Sequence, residues 1–130
     1  MSDAIVPSKI QNFTDLRVWQ AAMDLAEVVY RLTWTFPRQE QYGLSSQLQR
    51  CVVSVPSNIA EGHARNQTGD YLRFLAIARG SAAEVKTQIL LAVRLGYLDQ
   101  GRGQEVVKGV EELLKQITAL RTSIQRHNSQ

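Results

Sequence analysis

Four residues of the central stretch QLQRCVVSVPSNIAEGHAR have the types and spacing that could do chemistry: Ser54, Asn58, Glu61 and Arg65. They stand at i, i+4, i+7 and i+11, which places a hydroxyl, an amide, a carboxylate and a guanidinium on one face of a helix. Such a row can form a ligand or partner site with Glu61 as its charged centre. It can equally be a solvent-facing stripe, or a hydrogen-bonded seam that fixes the helix in register, because polar groups taken out of water need partners. Around it Val52, Val53, Val55, Ile59 and Ala60 require burial. Pro56 interrupts the row. It has no N–H to give the Val52 carbonyl, so a helix through this point must kink, or stop and restart. Gly62 weakens the helix locally and permits close approach of another backbone.

The other reactive types are few. His63 and His127 cannot join a cysteine at zinc-ligand spacing, and the Glu-x-x-His of di-iron bundles is missing even though Glu61 and His63 lie close together. There is no glycine-rich phosphate loop and no nucleophile elbow. No catalytic residue, metal or cofactor is expected, and the chain reads as a non-enzyme. The one cysteine, Cys51, cannot make an internal disulfide and lies in an apolar run, as a buried thiol does. Without a signal-peptide pattern or an apolar run of membrane-spanning length, a cytoplasmic protein with no membrane partner is expected.

The elements that must position these residues are helices. The 130 residues, 44% hydrophobic and 21% charged, suffice for one core. Residues 1–12 lack periodicity and read as an arm, 13–126 as the folded unit and 127–130 as a tail. Thr14 or Asp15 can cap helix one, which runs to about Phe36 and is ended by Pro37. Arg17, Gln20, Asp24, Glu27 and Arg31 occupy one narrow arc of it, leaving about two thirds of the circumference apolar. A surface helix needs a stripe only a little over ~100° wide. Either the arm covers the excess or a second subunit does. Val18, Ala22, Leu25, Val29 and Leu32 are the candidate interface residues.

Helix two is expected over 44–65. Helix three spans about 69–95, with Thr68 as a possible cap and Gly96 as its left-handed stop. Its core face is Tyr71, Phe74, Leu75, Ala78, Ala82, Val85, Ile89 and Ala92. Arg73, Arg79, Lys86 and Arg94 gather on its flank, interleaved with Leu72, Ala76, Ala83 and Leu90. Gly101 and Gly103 mark the last loop. In helix four, from about Gln104 to Arg126, the apolar residues Val106, Val110, Leu113, Ile117, Leu120 and Ile124 are spaced 4, 3, 4, 3, 4. The pattern gives an all-α fold, an antiparallel up-down four-helix bundle with helix two kinked at Pro56.

Three stretches carry a family likeness: FTDLRVWQAAMDL, FPRQEQYGLSSQLQRCVVSVPSNIAEGHAR and YLRFLAIARGSAAEVKTQI. They resemble the four-helix-bundle proteins encoded by intervening sequences of bacterial 23S rRNA genes. The likeness covers about residues 13–97, with SVPSNIAEG its most specific part, and Cys51 stands where alanine is expected. The resemblance implies a homo-oligomer, commonly a pentameric ring. It also implies kinship with the accessory protein of diversity-generating retroelements, which binds a reverse transcriptase and nucleic acid. It supplies no catalytic residues.

The net charge of +3 and pI near 9.3 are mildly basic. Three functions follow. One is a nucleic-acid-binding oligomer, for RNA or DNA and most naturally RNA, held through Arg73, Arg79, Lys86 and Arg94. The alternative is a protein-binding scaffold or accessory factor for a partner such as a reverse transcriptase, using exposed apolar surface. A small-molecule sensor with a pocket at Pro56 is the third.

Overall fold

A computed structural model of the chain describes residues 12–129, and most of the arm lies outside them. Four α-helices account for the fold: α1 (Arg17–Thr33), α2 (Leu44–Arg65), α3 (Thr68–Arg94) and α4 (Gln100–Ser129). Each packs along two neighbours. α1 lies against α2 and α4, and α3 against α2 and α4, with the α2–α3 pair the most extensive. No strand occurs among the described residues. The core runs down the centre of this four-helix bundle from Val29, Leu48, Val52, Val55 and Ile59 to Leu75, Val85, Ile89, Val110 and Ile117. Of the core face expected on α3, Leu75, Ala78, Ala82, Val85, Ile89 and Ala92 are buried, and Tyr71 and Phe74 are half-buried.

The helix ends show how local chemistry sets boundaries. Neither Thr14 nor Asp15 caps α1. The Asn12 side chain accepts the Thr14 N–H at 3.0 Å and starts a short 3₁₀ turn, Phe13–Asp15, after which extended Leu16 leads into the helix without a side-chain cap. α1 ends at Thr33 rather than Phe36. There the Thr33 and Thr35 hydroxyls donate to the Tyr30 and Leu32 carbonyls, each at 2.7 Å, and the Thr35 and Phe36 N–H groups turn to the i−3 carbonyls of Leu32 and Thr33.

α2 has the expected bounds and runs through Pro56 without interruption, so it does not stop and restart. Asn66, at φ 59°, closes it in the left-handed region. Gly96 does the same for α3 at φ 81°. The Gly96 N–H bonds the Val93 carbonyl and the Tyr97 N–H the Ala92 carbonyl, which completes a Schellman cap.

α4 begins at Gln100, not Gln104. Asp99 accepts the Arg102 N–H on its side chain at 2.8 Å and the Gly103 N–H on its carbonyl at 3.0 Å. An aspartate N-cap therefore carries Gly101 and Gly103 into the helix. Gly103 is buried, and a Cβ there would collide with Val93 Cγ2, so this glycine serves the packing of α4 on the end of α3.

Candidate nucleic-acid interface

The polar row on α2 divides between two environments. Ser54 shares a 2.9 Å hydrogen bond with Ser81 of α3. Asn58 donates to the Ser54 carbonyl at 2.7 Å and to its Oγ at 2.9 Å. These groups satisfy one another inside the α2–α3 interface, as a seam does. Glu61 instead is half exposed and pairs with Arg65 at 2.9 Å. It is a surface ion pair, with no buried charge at its centre. Pro56 is buried. Gly62 is buried where α3 comes nearest, since a Cβ on it would lie 2.9 Å from Phe74 Cβ and 3.1 Å from Tyr71 Cδ1. Burial pushes the Tyr71 phenol up to about 12. Ser54 and Gly62 of the SVPSNIAEG stretch thus join α2 to α3, and Asn58 holds Ser54 from within α2.

Cys51 is half-buried, not fully buried. Burial, and then the charge of Glu84, push its thiol up, away from the reactive thiolate. His63 stacks edge-on with Tyr71 at 5.7 Å. No group of three or more His, Cys, Asp or Glu among the described residues could hold a metal ion.

The five residues expected at an interface, Val18, Ala22, Leu25, Val29 and Leu32, are core residues, none more than 8% exposed. They face inward because α1 packs against two helices and spends that face on the bundle. The exposed large apolar residues on or just beyond α1 are Met23, Val28 and Trp34.

The basic flank of α3 is in part neutralised. Arg73 lies 3.5 Å from Asp70 and its guanidinium stacks over Phe74 at 4.5 Å. Arg65 approaches the same ring at 5.2 Å. Lys86 Nζ contacts Glu111 of α4 at 3.0 Å. Arg79 and Arg94 are exposed and make no ion pair among the described residues. At 3.6 residues per turn, Ile77, Leu91 and Leu95 fall within ~40° of one another, with Arg79 about 120° or more round α3 from them and Arg94 only about 60° from Leu91. All three are exposed, at 42–49%. The outer surface of α3 thus has an apolar side and a mixed side, where Leu90, 43% exposed, lies between Arg79 and Arg94.

Residues 14–119 match the family model described as 23S rRNA-intervening sequence protein. The chain belongs to this family. The fold of this family member is also that of a crystal structure from Bacteroides thetaiotaomicron, described as a protein of unknown function from the S23 ribosomal protein family. That structure is 21% identical, with a TM-score of 0.73, over 80% of this chain and 97% of the other. No curated protein matches the chain.

In this intervening-sequence protein one cationic residue escaped sequence reasoning. Arg121 of α4 lines a shallow space between α3 and α4 together with Arg79. Its signal was its position, seven residues after Leu114 and on the shoulder of the apolar seam, where helical spacing turns it toward a neighbouring helix.

Proposed function

We propose that this chain is a non-enzymatic homo-oligomeric bundle that binds RNA through its phosphate backbone. The observation that carries the reading is the exposed pair Arg79 and Arg94, with no ion pair among the described residues, while Ile77, Leu91 and Leu95 remain available for a subunit contact. Symmetry repeats the flank in every copy, so weak phosphate contacts act together. The family likeness favours five copies.

Fluorescence anisotropy with a labelled RNA, titrated at several salt concentrations, tests it. Binding should be largely sequence-independent and weaken steeply with salt as counterions are released. Changing Arg79, Lys86 and Arg94 together to Ala should lower affinity and flatten the salt dependence without altering the mass by light scattering. Absence of binding at low salt overturns the reading.

A second reading, a scaffold for a protein partner such as a reverse transcriptase, rests on a groove of about 650 Å³ between α1 and α4. Its lining includes Leu25, Val28 and Leu113 with Asp24 and Glu112, while Glu105 is paired with Arg102 at 3.8 Å, which suits an amphipathic helix with a basic residue toward Asp24 and Glu112.

A further inference from the structure

Arg79 of α3 and Arg121 of α4 line one notch of about 380 Å³. Ala76, Gly80, Ala83 and Leu114 complete its wall. The small residues at 76, 80 and 83 stand at i, i+4 and i+7, so the surface of α3 is low beside the two arginines. Neither guanidinium has an ion-pair partner among the described residues, and the Arg121 Nε is buried without a hydrogen-bond partner. Glu111, which reaches from α4 toward α3, is taken by Lys86. Two like charges therefore share a concave site with no acid to balance them, and one carries an unused donor.

We propose that this notch binds a phosphate group. On the RNA-binding reading, on which this rests, that group is a backbone phosphate. Two guanidinium forks select the geometry. A carboxylate holds its two oxygens in one plane, which suits a single arginine fork, whereas the tetrahedral phosphorus of a phosphate turns its non-bridging oxygens outward so that each can accept from a different guanidinium. The apolar wall at Leu114 and the absent Cβ of Gly80 leave room for the ribose beside it. Arg94 and the apolar side of α3 take no part.

The test follows the arginine Nε–Hε resonances of the full chain by NMR, with inorganic pyrophosphate, acetate and a twelve-nucleotide uridine RNA as separate probes. Pyrophosphate should move the Arg121 and Arg79 signals saturably, acetate should not, and R79Q should abolish the shift at Arg121. With RNA, R79Q/R121Q should weaken binding roughly tenfold at low salt. It should also reduce the salt slope by about 0.7, the value of one single-strand phosphate. R79K/R121K should keep the slope but not the full affinity, because lysine retains charge and loses the fork. Thermal melting should leave both double variants close to the parent.

Signals unmoved by pyrophosphate and RNA alike overturn the notch. So does RNA binding with an undiminished slope in R79Q/R121Q, which leaves the RNA-binding reading intact. If RNA fails to bind the parent chain, that reading falls, and the pyrophosphate shift alone then decides for or against the notch as a site for free phosphate.

Discussion

The Tyr97 hydroxyl donates to Glu40 Oε2 at 2.7 Å while Oε1 of the same carboxylate accepts the Leu44 N–H at 3.0 Å. One side chain thus caps the first turn of α2 and ties it to the loop that follows α3. The Leu44 N–H, and after it the Tyr97 hydroxyl, hold Glu40 below the usual carboxylate range. The hydrogen bond to Glu40 in turn pushes Tyr97 up. A depressed carboxyl contributes stability that is present above its unfolded value of about 4.3 and is lost as pH falls through the lower folded value. Glu40→Gln should therefore lower the thermal midpoint by a few degrees at neutral pH and leave it nearly unchanged in acid. Melting curves between about pH 3 and 7 check this. A parallel offset across the whole range would assign the effect to the cap's shape and not to its charge.

The Ser54–Ser81 bond predicts non-additivity. Ser81 is buried at 8% exposure, so Ser54→Ala leaves its hydroxyl without its partner. Each single change to Ala should cost about 1–2 kcal/mol, and the double change clearly less than their sum, because removing both leaves neither serine hydroxyl orphaned and Asn58 keeps its bond to the Ser54 carbonyl. A urea-denaturation cycle measures the coupling, and strict additivity would mean that water replaces the lost partner.

Much of this was legible in the sequence. The heptad spacing of α4 located Val106, Val110, Leu113 and Ile117, which are all buried. The expected bounds of helix two, 44–65, are those of α2, and the left-handed residue at 96 follows from glycine after a periodic run. What failed were inferences needing tertiary context. Val18, Ala22, Leu25, Val29 and Leu32 look like contact residues on the wheel of α1 because the wheel cannot reveal that two other helices share that face. Gly101 and Gly103 were read as loop because neither the Asp99 cap nor the pressure of Val93 on Gly103 shows in composition. The pairing of Lys86 with Glu111 crosses helices, so the flank looked more cationic than it is.

Glycines 62 and 80 should respond in opposite directions. A methyl at Gly62 meets Phe74 Cβ, Tyr71 Cδ1 and the Tyr71 carbonyl between 2.9 and 3.3 Å, and two of these are backbone or the first atom of a side chain. Gly62→Ala should destabilise by about 1–2 kcal/mol, the overpacking cost reduced by the gain in helix propensity. At Gly80 the space is open, and Gly80→Ala should stabilise by about 0.5–1 kcal/mol. Chemical denaturation of both variants gives the signs directly.

Pro56 is expected to bend α2 within a packed setting, since its ring displaces a hydrogen bond and is itself buried. Pro56→Ala restores a donor for the Val52 carbonyl and deletes buried ring atoms. The variant should keep its helical circular dichroism, with stability changed by about 1–2 kcal/mol. Loss of soluble protein would show that the bend is required for folding.

The apolar side of α3 is the contact expected to hold the oligomer, and two glutamates separate assembly from folding. Leu91 is 44% exposed and Leu25 is 8% exposed. A charge at position 91 stays in water in the single chain and is forced out of it only when a second copy covers the face, where an unpaired charge is costly. Leu91→Glu should thus yield a folded chain with native circular dichroism and a light-scattering mass falling toward 14.6 kDa. Leu25→Glu places the charge in the bundle core and should abolish cooperative unfolding altogether. If Leu91→Glu keeps the parent mass, α3 is not the contact. The same substitution at Val28, the exposed apolar residue on the opposite side of the bundle, then tests α1 by the same reading of mass against fold.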